Sequence, residues 1–372
     1  MKVALVHDWL TNMGGAERVV INFKQIYKNA PIYTTIYNPD NLDDELKNID
    51  VRTSFLQNKK GAKKNHQKYF PFMPAAFESF DLNEYDIVLS SSSSCAKGVI
   101  TNPNAMHVCY CHSPMRYGWE FYYEYANNSN MKKLKKNLLK YFMDYMRVWD
   151  NVSSNRVDYF IANSENVARR IWEHYRRESV VIHPPVRCSL FNISNEDQDC
   201  FLIVSRLVEY KRIDLAVEAF NELGLPLVII GDGAERQKLE LKAKDNIKFL
   251  GRQPDEVIKE YYSKCRAFVF PGEEDFGITP LEAQASGRPV IAFGKGGALE
   301  TVVSEKTGVF FEEQTVEALK NAVKVFESLN FDKVFIRKHA EEFDEEIFKG
   351  KIRNFVDEKY DEFLGTKKWK VL

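Results

Sequence analysis

Residues 267–286 read Ala267-Phe-Val-Phe-Pro-Gly-Glu-Glu-Asp-Phe-Gly-Ile-Thr-Pro-Leu-Glu-Ala-Gln-Ala-Ser286. Ala267–Phe270 is a short apolar run of strand length. A loop with two glycines follows, and a helix opens at Thr279 with Pro280 at its first position, where a missing N–H does no harm. A strand feeding a helix is half of a parallel crossover. Backbone N–H groups at the start of such a helix point away from the strand end and suit a phosphate. Glu274 in the loop and Glu282 in the first helical turn are placed to accept hydrogen bonds from sugar hydroxyls on either side of that phosphate. A plainer reading competes: Thr279-x-x-Glu282 is also a capping box, which would make Glu282 a helix device.

The same alternation extends in both directions. Around this unit the pattern predicts strands at Phe201–Val204, Leu227–Ile230, Ile247–Leu250, Val290–Ala292 and Val309–Phe311, with helix-period segments between them. An earlier series has strands at Lys2–Val6, Pro31–Tyr37, Asp86–Ser90, His107–Cys111, Asp158–Ala162 and Ser179–His183. Its clearest helices are Ala16–Tyr27, Met131–Trp149 and Glu165–Arg176. Pro184-Pro185 closes that series, and the polar, acidic stretch after it reads as a linker. The expected organisation is a first domain at 1–184, a linker at 185–199, a second domain at 200–345 and a helical segment at 346–372. Alternating strands and helices predict an α/β fold of two Rossmann-like, doubly wound parallel sheets. Their sites belong at the carboxyl ends of the strands.

Composition narrows the function. The 372 residues carry 52 Lys+Arg against 53 Asp+Glu, a net charge of -1, which argues against a dedicated nucleic-acid binder. No stretch approaches the ~18–20 uncharged apolar residues of a membrane span. The opening MKVALVHDWL reads as a strand, not a signal peptide. The six cysteines are too sparse for a disulfide framework, and Cys109 and Cys111 read as strand core. A cytoplasmic enzyme is the expectation.

Three further groups of residues carry chemistry. Arg206 and Lys211 follow the strand Phe201–Val204, at the same strand ends as Glu274, and two cations there neutralise a diphosphate. Gly231-Asp-Gly233 makes a tight turn after the next strand, with Asp232 able to cap the following helix. In the first series Gly14 and Gly15, within Asn12-Met-Gly-Gly-Ala-Glu17, let backbone approach a ligand or a partner domain. Neither the dinucleotide fingerprint nor the P-loop occurs. His112 ends the strand His107–Cys111, ahead of a Pro-containing turn that also carries Arg116 and Trp119. His7, beside Asp8, is a second histidine at a strand end.

Taken together, these segments resemble glycosyltransferase family 4, the retaining enzymes of the GT-B fold. The family's E-x7-E marker matches Glu274 and Glu282, its diphosphate-binding Arg and Lys match Arg206 and Lys211, and its Gly-Gly loop matches Gly14-Gly15. VHDWL, GGAERV and CHSPMRYGWE look most like the bacterial mannosyltransferase-type branch that builds O-antigens and exopolysaccharides. The resemblance implies two domains facing a central cleft, with the last helix crossing back to the first domain. It implies that Glu282 holds the donor ribose and that Glu274 contacts the transferred sugar. Phe276, Gly277, Ile278 and Thr279 would offer backbone to phosphates and sugar, with Gly231, Lys295 and Gly296-Gly297 nearby. His112 would meet the donor sugar near the reacting carbon. The implied catalytic set is His112, Glu274, Arg206 and Lys211. One departure is Asp275, where many relatives have glycine. The implied reaction moves a hexose from a nucleotide sugar to a hydroxyl of a glycan or polyprenyl-diphosphate-linked acceptor. GDP-mannose is the preferred donor and a UDP-sugar the next. No cofactor or metal is expected, because two cations already stabilise the leaving diphosphate.

Residues 51–77 hold Arg52, Lys59, Lys60, Lys63, Lys64 and Lys68 and no acidic residue, interleaved with Phe55, Tyr69, Phe70, Phe72 and Phe77. Residues 131–140 add five lysines. Both stretches suit an anionic surface on the inner face of the cell membrane. The rival classes are another GT-B enzyme, such as a sugar-nucleotide epimerase or a phosphorylase, and a non-catalytic nucleotide-sugar-binding protein.

Overall fold

The computed structural model describes residues 1–120 and 133–367. They divide into two compact units, Met1–His183 with Phe348–Leu372, and Pro184–Ile347.

The first unit is built on seven parallel strands: β1 (Val3–His7), β2 (Ile32–Thr34), β3 (Val51–Thr53), β4 (Ile87–Ser92), β5 (Met106–Cys111), β6 (Tyr159–Ala162) and β7 (Ser179–Val181). They lie in the order β3-β2-β1-β4-β5-β6-β7, so the direction of winding reverses between β1 and β4. That register brings His7 beside Ser91. Side chains alternate between the two faces, as a period of two requires. Val3, Leu5, Ile87 and Leu89 enter one cluster with Phe23 and Ile352. Ala4, Val6 and Val88 enter another with Phe77, Met146 and Trp149. Both faces are therefore covered, which is why the central strands are apolar throughout.

The helix Glu345–Lys367 places Phe348, Ile352 and Val356 on a single four-residue stripe, all fully buried against this sheet. Burying each such side chain contributes about 1.5–3 kcal/mol. Six of the seven strands fall on predicted runs. The addition, β3, has the sequence Val-Arg-Thr, too short and too polar to show an alternation.

The second unit holds six parallel strands: β8 (Phe201–Val204), β9 (Leu227–Ile230), β10 (Ile247–Gly251), β11 (Phe268–Phe270), β12 (Val290–Phe293) and β13 (Gly308–Phe311). Their order is β10-β9-β8-β11-β12-β13, and the winding reverses between β8 and β11. Phe201, Ile203, Leu227, Ile229 and Ile291 pack on one face, and Leu202, Val228, Ile230 and Val290 on the other. Residues 184–199, whose polarity suggests a connector, lie in this unit. Val186, Cys188 and Phe191 are buried in its core, and the Val186 N–H donates to the Phe343 carbonyl at 2.9 Å. These three buried anchors are enough to tie down a run whose second half is polar and acidic. All six cysteines are buried and free.

Candidate active site

The reversal of winding between β8 and β11 opens the loops that follow these strands in opposite directions, which is where ligands bind in doubly wound sheets. The predicted residues of the second half gather at this point. After β8, Leu207 turns inward and is fully buried. Its N–H donates to the Asp232 carbonyl at 3.1 Å and its carbonyl accepts from Glu235 at 3.0 Å. This anchor leaves Arg206 and Lys211 on either side of it. Arg206 is exposed, and its Nη2 donates to the Tyr210 hydroxyl at 3.1 Å. Lys211 lies 5.2 Å over the Tyr210 ring, and its ammonium is paired with the Glu274 carboxylate, both side chains being largely shielded. Lys211 and Glu274 are 63 positions apart in sequence and in contact in the fold.

After β11 the chain reaches the helix Ile278–Ala285, with Gly277 as its N-cap and no side-chain cap. Thr279 and Glu282 therefore do not form a capping box, and Pro280 is the third helical residue, not the first. The helix needs Gly277 because φ there is +87°. The first-turn N–H groups have no acceptor within the helix. Glu282 is buried, and Tyr262 Oη donates to its Oε2 at 3.0 Å. Asp275 has no positive φ, so the loop accepts a side chain where relatives carry glycine. The turn at Lys295-Gly296-Gly297 packs on this loop, the Gly297 N–H donating to the Glu274 carbonyl at 2.9 Å. Gly231, expected near the donor, has a packing role: φ is +134°, and a Cβ there would lie 1.8 Å from the Ser205 carbonyl oxygen.

The reversal between β1 and β4 in the first unit gathers a second cluster. His112 follows β5, and its Nε2 is 2.8 Å from the Ser91 hydroxyl. The same hydroxyl is 3.1 Å from His7 Nδ1, and His7 Nε2 is 3.5 Å from Glu17 Oε1. Burial, with the nearby His7, pushes His112 down to about 3. Burial also lowers His7, but the hydrogen bond and charge of Glu17, with Asp8, leave it raised from its usual value. Gly14 is the N-cap of the helix Gly15–Ile26, with φ −166°, which any residue adopts. A Cβ at Gly14 would stand 3.0 Å from Glu17 Oε2.

Asp8, paired with His7 in sequence, faces elsewhere. Its carboxylate accepts from the N–H groups of Ser93, Cys95 and Ala96 and from the Ser93 hydroxyl. Arg116 pairs with Glu120, and Trp119 Nε1 donates to the buried Asp150 at 2.8 Å. Sequence reasoning did not single out Ser91, Glu17 or Tyr262.

Among the described residues, no three or more His, Cys, Asp or Glu side chains come together as a metal site. Likewise, no helix is long and apolar enough to cross a membrane. In the basic stretch 51–77, Lys59, Lys60, Lys63, Lys64 and Lys68 are exposed, with Phe55 and Phe72 exposed beside them. Phe77 is instead core, and Arg52 pairs with Asp50 and Glu84. Of the second stretch, Met131 and Lys132 lie outside the described residues, as do the side chains of 133–136 and 138.

Curated relatives and solved structures agree with this geometry. An uncharacterized glycosyltransferase of Methanocaldococcus jannaschii is 29% identical over 203 residues, 52% of this chain and 55% of that protein. An alpha-1,3/1,6-mannosyltransferase of Dictyostelium discoideum is 23% identical over 87% of this chain and 88% of its own length. A GDP-mannose-dependent alpha-(1-6)-phosphatidylinositol monomannoside mannosyltransferase of Mycolicibacterium smegmatis is 32% identical over 34% of this chain and 38% of its own. The sucrose-phosphate synthase of Thermosynechococcus elongatus superposes with a TM-score of 0.73 at 17% identity, covering 97% of this chain and 100% of that one. Anabaena HepE in complex with UDP-glucose gives 0.70 at 17% identity, over 96% and 100%. These likenesses establish the shared GT-B class of fold. The family model "Glycosyltransferase Family 4" matches residues 13–190 and "Glycosyl transferases group 1" matches 191–348. With both halves matched in order, the chain belongs to glycosyltransferase family 4.

Proposed function

We propose that this chain is a retaining hexosyltransferase that moves mannose from GDP-mannose to a hydroxyl of a glycan or lipid-linked oligosaccharide in cell-surface polysaccharide synthesis. The observation that carries the reading is the contact of Lys211 with Glu274 beside Arg206, at the point where the second sheet reverses its winding. Two cations and the start of the helix Ile278–Ala285 converge there, a donor set suited to a diphosphate. Mannose as the sugar rests on the mannosyltransferases among the curated relatives. A UDP-sugar is the second reading, favoured by the fold's likeness to a protein solved with UDP-glucose.

In this mechanism the incoming diphosphate competes with Glu274 for Lys211 and frees the carboxylate to accept from sugar hydroxyls. Arg206 and Lys211 then stabilise the negative charge that grows on the leaving diphosphate as the glycosidic bond breaks. Glu282, oriented by Tyr262, accepts from the ribose hydroxyls. His112 meets the transferred sugar. The acceptor hydroxyl attacks from the face the diphosphate leaves, and a donor phosphate oxygen takes its proton. The chain acts in the cytoplasm, with the exposed lysines of 59–68 resting on anionic lipid that presents the acceptor.

The test is a binding and transfer screen. Thermal shift and calorimetry against GDP, UDP, ADP and their sugar conjugates identify the donor, since a ligand of the folded state raises its apparent stability. GDP and GDP-mannose are expected to stabilise selectively. Glu274→Ala and Arg206→Ala are expected to lower transfer by about 100-fold or more while the thermal midpoint holds. Selective binding of UDP would exclude the mannose reading, and near-normal transfer by either variant would exclude that residue's role.

A further inference from the structure

The mechanism above uses His112 and leaves unexplained why Ser91 touches it, with His7 on the same hydroxyl and Glu17 behind His7. These come from three separate places in the chain: the end of β1, the end of β4 and the first turn of the helix Gly15–Ile26. A hydroxyl that touches two imidazoles has one proton to give and must accept from the other ring. The direction follows from what else surrounds His7. Its Nδ1 also lies 3.2 Å from the Ser91 backbone carbonyl, which only accepts. Its Nε2 faces the Glu17 carboxylate at 3.5 Å, which also only accepts when ionised. Both His7 nitrogens therefore carry protons, and the ring is an imidazolium. The Ser91 oxygen accepts from His7 and has its own proton left for His112 Nε2.

We infer that Glu17, His7 and Ser91 form a positioning relay that fixes His112 as the neutral tautomer with its proton on Nδ1, so that His112 presents an N–H donor to its ligand. A neutral imidazole in water favours the proton on Nε2, so this tautomer is imposed by the fold. The titration of both rings agrees with the geometry. The low value of His112, set by burial and His7, keeps it neutral. The raised value of His7, set by Glu17 with help from Asp8 and the Ser91 carbonyl against burial, keeps it charged. The groups facing His7 are Glu17 from the helix, Ser91 from β4, His112 from the end of β5, and the charge of Asp8 next in sequence. Three of the four interactions favour the charged ring, and His112 is neutral. Among the described residues His112 has no other side-chain hydrogen bond, so Nδ1 is the nitrogen left for a ligand. The ligand assigned to it, an oxygen of the transferred sugar, rests on the transferase proposed above. The tautomer does not.

The test is long-range 1H–15N spectroscopy of the full chain labelled with 15N-histidine, the His112 signals being assigned by their loss in His112→Gln. In the unsubstituted protein near neutral pH, His112 is expected to show a protonated Nδ1 and an unprotonated Nε2, and His7 to show both nitrogens protonated. Ser91→Ala is expected to return His112 to the Nε2–H form and to lower kcat on the order of 100-fold, with the donor KM and the thermal midpoint little changed. Glu17→Gln is expected to remove the second proton from His7. A proton on His112 Nε2 in the unsubstituted protein overturns the inference, as does a Ser91→Ala variant with unchanged tautomer and kcat. If Ser91→Ala does not fold, the spectrum of the unsubstituted protein still decides. That spectrum is recorded without substrate, so a protein with the expected tautomer that transfers no sugar supports the relay and removes only the transferase reading.

Discussion

Acid should weaken the first unit through one buried ring, His107, and the size of the effect follows from its surroundings. His107 is fully buried at the start of β5. Its Nδ1 is 3.3 Å from the Arg156 carbonyl, which only accepts, so Nδ1 carries the proton. Its Nε2 is 2.8 Å from the Ser90 hydroxyl, which then donates. The neutral ring is satisfied at both ends, and a second proton on Nε2 would force the Ser90 hydroxyl to give up its donated bond and turn its own proton elsewhere. Burial, reinforced by the charges of Arg156 and Lys97, pushes His107 from 6.5 down to about 4. The folded value lies below the unfolded one, so between pH 6.5 and about 4 the unfolded chain binds a proton that the folded chain refuses. Stability is therefore full above 6.5 and falls with pH through that window, by about 1.4 kcal/mol per unit. At pH 4.5 the loss from His107 is about 3 kcal/mol, a large share of the roughly 5–15 kcal/mol that holds a domain folded. His112 adds a loss of the same sign over the same window. His7 does not offset it: its raised value gives stability already complete below 6.5 and lost only as pH rises through the folded value. His107→Gln keeps a donor and an acceptor and removes the titration. The assay is urea unfolding at pH 7 and pH 4.5, followed by tryptophan fluorescence. Residues 184–347 contain no tryptophan, so the signal reports the first unit. The loss on acidification should be smaller in His107→Gln by about 3 kcal/mol, and carboxylates common to both proteins cancel in that difference. An equal loss in both refutes the reasoning.

Three other outcomes follow from particular contacts. Tyr262→Phe removes the hydroxyl that orients Glu282 and should raise the donor KM roughly tenfold with kcat nearly unchanged; steady-state kinetics at varied donor check this, and an unchanged KM removes the orienting role. Gly231→Ala forces a Cβ toward the Ser205 carbonyl at positive φ and should cost at least about 2 kcal/mol, read by chemical unfolding of the full chain as an earlier transition in far-ultraviolet dichroism, which follows both units, than in tryptophan fluorescence, which follows the first. Replacing Lys59, Lys60, Lys63 and Lys64 together with Ser should weaken sedimentation with anionic liposomes, each lysine contributing about 1 kcal/mol; undiminished binding rejects the membrane contact.

The fold class was legible because both sheets are buried on both faces. Runs such as Phe201–Val204 and Leu227–Ile230 stand out against polar loops, and the helices between them carry clear apolar stripes. What escaped was whatever lacks periodicity. β3 is three residues long, and the run at 186–191 ties into the second unit through Val186, Cys188 and Phe191, too few to mark core in a polar stretch. At the site, residue types and loop positions showed Arg206, Lys211, Glu274 and Glu282 as a group. Their pairing was not legible, because Lys211 meets Glu274 only once β8 and β11 are neighbours. The same holds for Ser91: a serine in a serine run carries no signal until β1 and β4 pair and bring His7 beside it.

The glycines of the second unit explain how exposed loops can hold such a site still. A Cβ on Gly231 would meet the Ser205 carbonyl, one on Gly272 would stand 2.9 Å from Lys211 Cα, and one on Gly297 would stand 2.1 Å from Phe276 Cα. These contacts join the loops after β9, β8, β11 and β12 in an unbroken series, backbone against backbone. Backbone contacts bring no side-chain rotamers with them, so each join removes freedom from a loop without adding any. Arg206, Lys211, Glu274 and the start of the helix Ile278–Ala285 all sit within this series. A site that stabilises developing charge works by having its dipoles and cations already in place, because reorganising them during reaction would raise the barrier. In this chain the ordering is done by loops that touch where they have no side chains, which leaves the charged side chains between them free to exchange partners.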